Sequence, residues 1–250
     1  MNMKIIADIL AEADSFEKEL PPPAPLSPIP EGAAIAAYID HTLLKAEATA
    51  AHVKALCDEG RQHCFAAVCI NPVFVPLAAG LLKESPVKVC TVAGFPLGAA
   101  PATFKVFEAL ASIHAGAAEI DMVLNVGAMK GEAYGQVYNE VQAVAQVVHN
   151  QGALLKVIFE TALLSRREKI IACLVCKAAG ADFVKTSTGF GPGGATVEDV
   201  DLMYRLVGPQ VKVKAAGGIR SLADARAMIG AGASRLGTSA GAKIIQEAIS

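Results

Sequence analysis

Short apolar runs alternate with longer segments of helical periodicity from about residue 35 to the end of the chain. Short, mostly apolar runs favour buried strands, whereas apolar positions that recur every three or four residues favour amphipathic helices. The strand-like runs are AAYID, CFAAVCI, VKVCTVAGF, AEIDMVL, LLKVIFET, DFVKTST, VKVKAAGG and SRLGTSA. A helical segment follows each of them, and several of these segments end in glycine, as helix C-termini commonly do.

The number of strand–helix units predicts the architecture. Eight such units in one chain indicate parallel strands closed into a barrel and ringed by helices, a (β/α)8 TIM barrel. A doubly wound sheet is the alternative, but no G-x-G-x-x-G motif follows the first strand. The length of 250 residues also suits one large α/β domain better than two small ones.

The first thirty residues follow a different pattern. Apolar positions recur there at helical spacing, with acidic residues on the other side: Ile6, Ile9, Ala13, Phe16 and Leu20. A stiff proline-rich stretch, PPPAPLSPIPEG, comes next. The segment is too acidic for a transit peptide and lacks the apolar core of a secretory signal. We therefore predict a helical extension on a Pro-rich linker over residues 1–30 and a barrel domain over residues 31–250.

Composition narrows the range of functions. Apolar residues make up 53% of the chain and charged residues 18%, with a net charge of −2. No basic stripe and no long apolar run occurs, so neither nucleic acid nor a membrane is expected as a partner. The six cysteines fall mostly in apolar segments, which indicates a reducing compartment, the cytoplasm. Cys173 and Cys176 form a C-x-x-C inside a helical segment, and core packing is favoured there over zinc or redox chemistry.

Polar side chains accumulate where the predicted strands end, which is where the active site of such a barrel lies. In chain order they are Asp40, His41, Thr42, Cys69, Asn71, Asp121, Asn125, Lys156, Glu160, Lys185 and Lys214. Lys185 and Lys214 belong to neighbouring strands, and desolvation together with like charge lowers a lysine pKa. A neutral amine near pH 7 forms Schiff bases with carbonyls. The alternative is a structural ion pair with Asp121. Lys212 begins its strand, so we place it at the opposite mouth.

Three glycine-rich runs follow the last three strands. They are GFGPGG (189–194), AAGGIR (215–220) and GTSAG (237–241). Each can bring backbone N–H groups to an oxyanion, and phosphate sites recur at this position of the fold. A phosphate monoester ligand is therefore predicted. No His, Cys or carboxylate cluster has metal-ligand spacing in the sequence, so neither a metal nor another cofactor is expected.

Several of these segments together resemble the deoxyribose-phosphate aldolase family. The similar motifs are IDHTLL, VCINP, TVAGFPLG, EIDMVLNVGA, LKVIFET, DFVKTSTGF, VKAAGGIR and RLGTSAG, spanning about residues 36 to 245. The resemblance implies a metal-independent class I aldolase with a (β/α)8 barrel. Members of that family reversibly cleave 2-deoxy-D-ribose 5-phosphate into D-glyceraldehyde 3-phosphate and acetaldehyde.

The resemblance to this family implies a role for each residue that matches one of its motifs. Lys185 matches the Schiff-base lysine, Lys214 the second lysine that perturbs it and relays protons, and Asp121 the proton donor and acceptor. Supporting polar residues would be Lys156, Asp40, Thr42 and Cys69, and phosphate-loop residues would be Gly189, Gly217, Gly218, Thr238 and Ser239. Two features depart from some family members. Phe190 replaces a lysine after the KTSTG glycine, and the chain ends IIQEAIS without a tyrosine.

Two rival functions fit the same barrel. A transaldolase-like or ketose-phosphate aldolase would keep the Schiff base and change the donor, and a catalytically idle barrel would serve as a scaffold. A homodimer is one candidate assembly. Residues 3–20 resemble the encapsulation peptides that carry enzymes into bacterial microcompartments, so shell proteins are candidate partners. We expect this helix to be poorly ordered unless a partner covers its apolar stripe. The alternatives are docking on its own barrel, self-association, or a functionless tail.

Overall fold

The computed structural model describes residues 2–26 and 28–250. Met1 and Ser27, which belong to the predicted extension and linker, lie outside the described residues. The strands are β1 (Ile39–Leu43), β2 (Ala67–Ile70), β3 (Lys88–Ala93), β4 (Glu119–Val123), β5 (Leu154–Ile158), β6 (Phe183–Lys185), β7 (Lys212–Ala216) and β8 (Ala233–Thr238). All neighbours pair in parallel, and β8 pairs with β1, so the sheet closes into a barrel in chain order.

Helices surround the barrel. They are α1 (Asn2–Lys18), α2 (Ala50–His63), α3 (Val75–Leu81), α4 (Ala102–His114), α5 (Val126–Lys130), α6 (Tyr134–Asn150), α7 (Arg166–Ala179), α8 (Val197–Val207), α9 (Leu222–Gly230) and α10 (Gly241–Ile249). Short 3-10 helices cover Gly32–Tyr38, Pro72–Phe74 and Thr161–Leu163. No helix in the described part of the chain is long and apolar enough to cross a membrane. The predicted (β/α)8 TIM barrel is confirmed.

Local sequence signals explain where several helices start. Ser165 begins α7 with a capping box, in which its side chain accepts from the backbone N–H of Glu168 and that glutamate accepts from the Ser165 N–H. Ser221 and Asp224 form the same arrangement at the start of α9. Such reciprocal caps satisfy N–H groups that have no partner within the helix. They fix where each chain segment leaves the barrel mouth.

The core has two parts because strand side chains alternate between the two faces of the barrel wall. One apolar cluster lies between the strands and the helices and includes Val68, Met122 and Val213. A smaller cluster, which includes Cys69 and Cys90, lies on the other face of β2 and β3. The inner face of the neighbouring strands carries charged groups instead, and these form the candidate site.

The first strand departs from its prediction. AAYID was expected to be a strand that ends at Asp40, but most of it belongs to the 3-10 helix Gly32–Tyr38, and β1 begins at Ile39. Apolar residues that are buried in a short turn of helix cannot be told from a strand by burial alone. Asp40 consequently lies near the start of its strand, deeper in the barrel than predicted.

The N-terminal helix is packed, which corrects the expectation that it lacks order. α1 contacts α7 and α6, and the side chains of Ile9 and Ala13 join the main core. Arg167 of α7 forms ion pairs with Asp14 and Glu17. The alternative of docking on its own barrel is therefore confirmed. An isolated helix of this length is marginal in water, and the covering of its apolar stripe by the barrel supplies the missing stabilisation.

Candidate active site

Strand register brings the predicted catalytic residues together on the inner face. Asp121 of β4 pairs with Lys156 of β5, and Lys185 of β6 pairs with Lys214 of β7. All four side chains are buried, with Lys185 the most exposed at 2%. Four consecutive strands thus direct one carboxylate and three amines into the same small volume. The convergence of Lys185 and Lys214 predicted from their strand positions is confirmed.

Asp121 is the hub of this cluster. Its Oδ2 accepts hydrogen bonds from Nζ of Lys185 and from Nζ of Lys214, each at 2.7 Å. Its Oδ1 accepts from Nζ of Lys156 at 2.8 Å. The sequence analysis treated an ion pair with Asp121 as the alternative to a nucleophilic Lys185. The structure contains that ion pair, so the free enzyme holds Lys185 against the carboxylate.

A second layer of charges lies deeper in the barrel. Asp40 contacts Nζ of Lys214 at 2.5 Å and the guanidinium of Arg235 at 2.5 Å. Glu119 contacts Nζ of Lys156 at 2.6 Å and Arg235 at 3.1 Å. Neither Glu119 nor Arg235 was predicted from the sequence. The available signal was strand parity, since Glu119 stands two residues before Asp121 and must face the same way.

The carboxylates remain ionised although they are fully buried. Burial opposes ionisation, but the ammoniums of Lys156, Lys185 and Lys214 outweigh it and hold the pKa of Asp121 well below its usual range. The same balance, with Lys214 as the main opposing charge, lowers the pKa of Asp40 to about 2. The cluster is therefore an array of full charges.

Lys214 and Lys156 are held in their charged forms. Burial favours the neutral amines, but Asp121 and Asp40 raise the pKa of Lys214 above its ordinary value. Asp121 is likewise the main charge that raises the pKa of Lys156. The convergence of two lysines therefore does not lower the pKa of Lys214. Each of these two lysines contacts two carboxylates within 3 Å, and that attraction exceeds the repulsion between the ammoniums.

A charge count distinguishes Lys185 from the other amines. The connected cluster contains four cationic side chains and three carboxylates. With all groups ionised it carries one excess positive charge, which the loss of a single proton removes. Lys185 contacts one carboxylate oxygen only, and it shares that oxygen with Lys214. Its ammonium is thus the least compensated of the three.

A cavity of about 360 Å³ opens at the C-terminal mouth, and Lys185 is the one member of the charged cluster in its wall. Other wall residues include Thr42, Gly189, Gly217, Gly218, Thr238 and Ser239, all of which were predicted as site residues. The wall also contains Lys45 and Arg220, both exposed, which sequence analysis did not single out. Arg220 was visible as the last residue of the AAGGIR motif. The two residues supply positive charge at the mouth.

The glycine loops are closely packed, and Thr238 is held by hydrogen bonds within the protein. At Gly217, φ is +90°, and a Cβ would lie 2.9 Å from the Cα of Gly194, so the two loops approach too closely for a side chain. Thr238 uses its hydroxyl inside the protein, donating to the carbonyl of Ile219 at 2.7 Å and accepting from the N–H of Ala240. Its hydroxyl therefore holds two mouth segments together rather than facing a ligand. Thr42 similarly donates to the carbonyl of Asp40.

Cysteines and carboxylates also meet inside the barrel. The ligand-type atoms of Cys69, Cys90 and Asp121 lie within 4.8 Å of one another, as do those of Asp40, Cys90 and Glu119. The sequence showed no such cluster, because its members come from four different strands. The thiol of Cys90 donates to Asp121 at 3.1 Å, and lysine ammoniums contact all three carboxylates. A bound cation would have to lie among these ammoniums, so the donor set does not suit a metal.

Comparison with known proteins identifies the family. Fold and site together define a (β/α)8 barrel enzyme with a lysine-rich centre at its C-terminal mouth. Residues 34–247 match the model of the DeoC/LacD family aldolases. Deoxyribose-phosphate aldolase of Caldanaerobacter subterraneus subsp. tengcongensis is 58% identical over 214 residues, which cover 85% of this chain and 93% of the relative. The chain belongs to the deoxyribose-phosphate aldolase family and is a lyase.

Solved structures agree with this assignment. Deoxyribose phosphate aldolase from Aeropyrum pernix, described as a unique tetramer, is 37% identical with a TM-score of 0.80, covering 86% of this chain and 90% of that one. A structure from Coccidioides immitis assigned as the same enzyme is 39% identical with a TM-score of 0.90 and covers 97% of both chains. Because so little of this chain falls outside that match, the match extends into the first thirty residues.

Proposed function

We propose that the protein is a class I aldolase that reversibly cleaves 2-deoxy-D-ribose 5-phosphate into D-glyceraldehyde 3-phosphate and acetaldehyde. The observation that carries the proposal is the position of Lys185. It is the one buried lysine in the cavity wall. It belongs to a charged cluster that becomes electrically neutral when one proton is lost. A neutral amine at that point can attack an aldehyde that enters from the mouth. Lys185 is the proposed Schiff-base residue.

The proposed synthesis direction begins with acetaldehyde. Nζ of Lys185 adds to the aldehyde carbon, and proton transfers release the oxygen as water and leave an iminium. The positive nitrogen acidifies the methyl protons, and Asp121, with Lys214 and an ordered water, removes one of them. The resulting enamine forms a carbon–carbon bond to C1 of D-glyceraldehyde 3-phosphate. Hydrolysis of the new iminium restores the amine and releases the sugar phosphate.

Asp121 and Lys214 are suited to this proton transfer by their contacts. The Oδ2 atom of Asp121 lies 2.7 Å from Nζ of Lys185, within reach of atoms bonded to that nitrogen. Lys214 donates to the same oxygen, so it stabilises the carboxylate when no proton is bound there. Lys156 and Asp40 hold these two groups from below. We assign both to support rather than to bond formation.

The phosphate is proposed to bind across the glycine loops. Gly189, Gly217, Gly218 and Ser239 are exposed or half-buried at the cavity wall, and the start of α9 adds a favourable helix dipole. Phe190 stands where some family members have a lysine, and Arg220 and Lys45 supply positive charge at the mouth instead. Phosphate binding at a distance from Lys185 would position the reacting carbon, which is where effective molarity is gained.

Reduction of the adduct tests the proposal. Incubation with acetaldehyde and borohydride should attach a two-carbon group to Lys185, located by peptide mass spectrometry, and a chelator should not prevent it. Lys185→Arg should abolish the label. Dihydroxyacetone in place of acetaldehyde tests the rival donor, and a label with neither compound would favour the idle-barrel reading. Labelling that persists unchanged in Lys185→Arg would exclude Lys185 as the nucleophile.

Self-association is proposed through the face formed by α3 and α4. Val73, Leu77, Leu97, Phe104 and Phe107 are large apolar side chains that stand exposed in this part of the chain. Groups of exposed aromatic and aliphatic residues are typical of interfaces. The tetramer described for the Aeropyrum pernix relative supports an oligomer here too. Light scattering of wild type and Phe104→Glu should give different masses.

The cellular setting is proposed from the thiols and the N-terminal segment. Six free cysteines suit a reducing compartment such as the cytoplasm. Encapsulation in a microcompartment stays a hypothesis, and the packing of α1 against α7 weighs against it, because shell binding through the apolar stripe would require α1 to undock. Removal of residues 1–30 followed by a co-purification assay with shell proteins tests it.

A further inference from the structure

Glu160 has an unusual backbone beside the mouth. It follows β5 and adopts a left-handed conformation, with φ 53° and ψ 63°. Two other non-glycine residues with positive φ occur in the described chain, Cys64 and Glu132, and both are exposed, whereas Glu160 is 4% exposed. A strained backbone persists only where the surroundings determine it, and such residues concentrate at functional sites.

The carboxylate of Glu160 holds the start of the β6–α8 loop. Its Oε2 accepts a hydrogen bond from the N–H of Thr188 at 3.2 Å and another from the Thr188 hydroxyl. That hydroxyl in turn accepts from the N–H of Phe190 at 3.0 Å. One side chain from the end of β5 therefore fixes both ends of the Thr188–Gly189–Phe190 turn. Hydrogen bonds to an ionised acceptor are about twice as strong as neutral ones.

Close packing supports the same contact. A Cβ at Gly191 would lie 2.6 Å from Cδ of Glu160, so the loop backbone lies directly on the carboxylate. On the other side of the loop, a Cβ at Gly194 would lie 2.4 Å from the carbonyl oxygen of Gly217, and the N–H of Ala195 donates to that oxygen. The loop is thus clamped between Glu160 and the loop after β7.

Glu160 has no competing role in an ion pair. No cation of the described chain lies within ion-pair distance of it, and its Oε1 is buried without a hydrogen-bond partner. A buried, unpaired carboxylate is costly unless it serves a structural or functional purpose. Among the described residues, its carboxylate accepts hydrogen bonds from Thr188 alone.

We propose that Glu160 is a positioning residue for phosphate recognition, acting through the loop that it fixes. Glu160 does not line the mouth cavity, but Thr188, Gly189 and Phe190 do, together with Lys185. With the carboxylate in place, the backbone from Thr188 to Phe190 is held in a fixed position at the cavity wall. The inference rests on the proposed function, since it names the residue that shapes the phosphate loop of that same site.

The test compares two substrates that differ in the phosphate. Glu160→Gly removes the carboxylate and also suits the left-handed backbone. We expect its KM for 2-deoxy-D-ribose 5-phosphate and its inhibition constant for inorganic phosphate to rise about tenfold, equivalent to about 1.4 kcal/mol. Its kcat/KM for unphosphorylated 2-deoxyribose should fall less than threefold. Thr188→Val, which removes the hydroxyl at constant shape, should raise the same two constants.

Glu132→Gly is the matched control, because Glu132 has φ 55° and is an exposed residue outside the wall of the mouth cavity. It should leave both constants within twofold of wild type. Glu160→Gln keeps one acceptor oxygen and should give a smaller rise than glycine, which preserves the test if Glu160→Gly fails to fold. An equal loss with both substrates, or unchanged phosphate constants in the glycine and glutamine variants, would overturn the proposal. Calorimetric binding of inorganic phosphate needs no turnover, so failure of the aldolase assignment would be seen separately.

Discussion

Replacement of Lys214 by methionine tests how the cluster prepares Lys185 for attack. Both ammoniums bind the same Oδ2 atom of Asp121 at 2.7 Å, so their nitrogens are at most 5.4 Å apart, twice that distance. At an effective dielectric constant of about 20, two like charges at that separation repel by about 3 kcal/mol. Methionine removes the charge and keeps an unbranched side chain of similar length. Lys185 would then lose the neighbouring like charge.

The expected result is slower formation of the trapped adduct. A difference of about 3 kcal/mol corresponds to a factor of about 100. The rate of borohydride trapping of acetaldehyde at Lys185, measured at neutral pH, should therefore fall on the order of 100-fold in Lys214→Met. Turnover should fall further, because Lys214 also stabilises ionised Asp121.

Lys212→Met is the matched control, since Lys212 stands two residues earlier on β7 and is exposed at the opposite end of the strand. It should leave the trapping rate unchanged. Melting temperatures of both variants show whether the barrel remains folded. Asp40 keeps Arg235 as a partner in Lys214→Met, and Asp121 keeps Lys156, so we expect folding to survive. A folded Lys214→Met enzyme with an unchanged trapping rate would refute the electrostatic account.

Three further outcomes are expected. Asp121→Asn should still form the reduced adduct but lose deuterium exchange at the methyl group of acetaldehyde, followed by NMR, and normal exchange would contradict its role as proton acceptor. Arg220→Ala should raise KM for the phosphorylated sugar severalfold with kcat changed less, and an unchanged KM would exclude it from the phosphate site. Deletion of residues 1–30 should leave trapping at Lys185 intact but lower the melting temperature. Ile9→Ala should lower the free energy of unfolding by about 2–4 kcal/mol, measured by chemical denaturation.

The stability of the cluster should also depend on acid. Asp40 has a pKa of about 2 in the folded protein and an ordinary value of 3.8. Its pKa is depressed by folding, so its contribution of about 2 kcal/mol is present above pH 4 and is lost as the pH falls towards 2. Urea unfolding between pH 5 and pH 2 should show this loss, and Asp40→Asn should flatten it. An equally steep dependence in that variant would point to other carboxylates.

Much of the fold follows from periodicity. Each predicted strand run contains or overlaps an observed strand, and even three-residue β6 was recognisable within DFVKTST. The failure at residues 36–38 has a physical cause. A short apolar stretch without alternation fits a strand and a 3-10 helix equally well. The 3-10 helix Gly32–Tyr38 packs against α10, and sequence periodicity does not contain that contact.

The sequence was enough to predict which residues form the site, but not which of them contact one another. The positions of Asp121, Lys185 and Lys214 on β4, β6 and β7 gave the convergence, because parallel strands have their C-terminal ends at one mouth. Which oxygen each ammonium contacts depends on register and rotamer, which composition and spacing do not contain. Arg235 illustrates the limit. It looks like an ordinary residue of SRLGTSA, yet it joins Asp40 of β1 to Glu119 of β4 across the barrel.

Differences in depth within the barrel explain why Lys156, Lys185 and Lys214 have different environments. Lys185 is the last residue of β6, whereas Lys156 stands two residues before the end of β5 and pairs with Phe183. Two strand residues correspond to about 6–7 Å, enough to separate the cavity wall from the interior. Lys214 lies level with Lys185, but its stem packs against Gly237, where a Cβ would approach its Cε to 3.2 Å, and its ammonium lies against Asp40. The absence of a side chain at Gly237 thus lets Lys214 stay inside, and Lys185 is the amine that reaches the mouth.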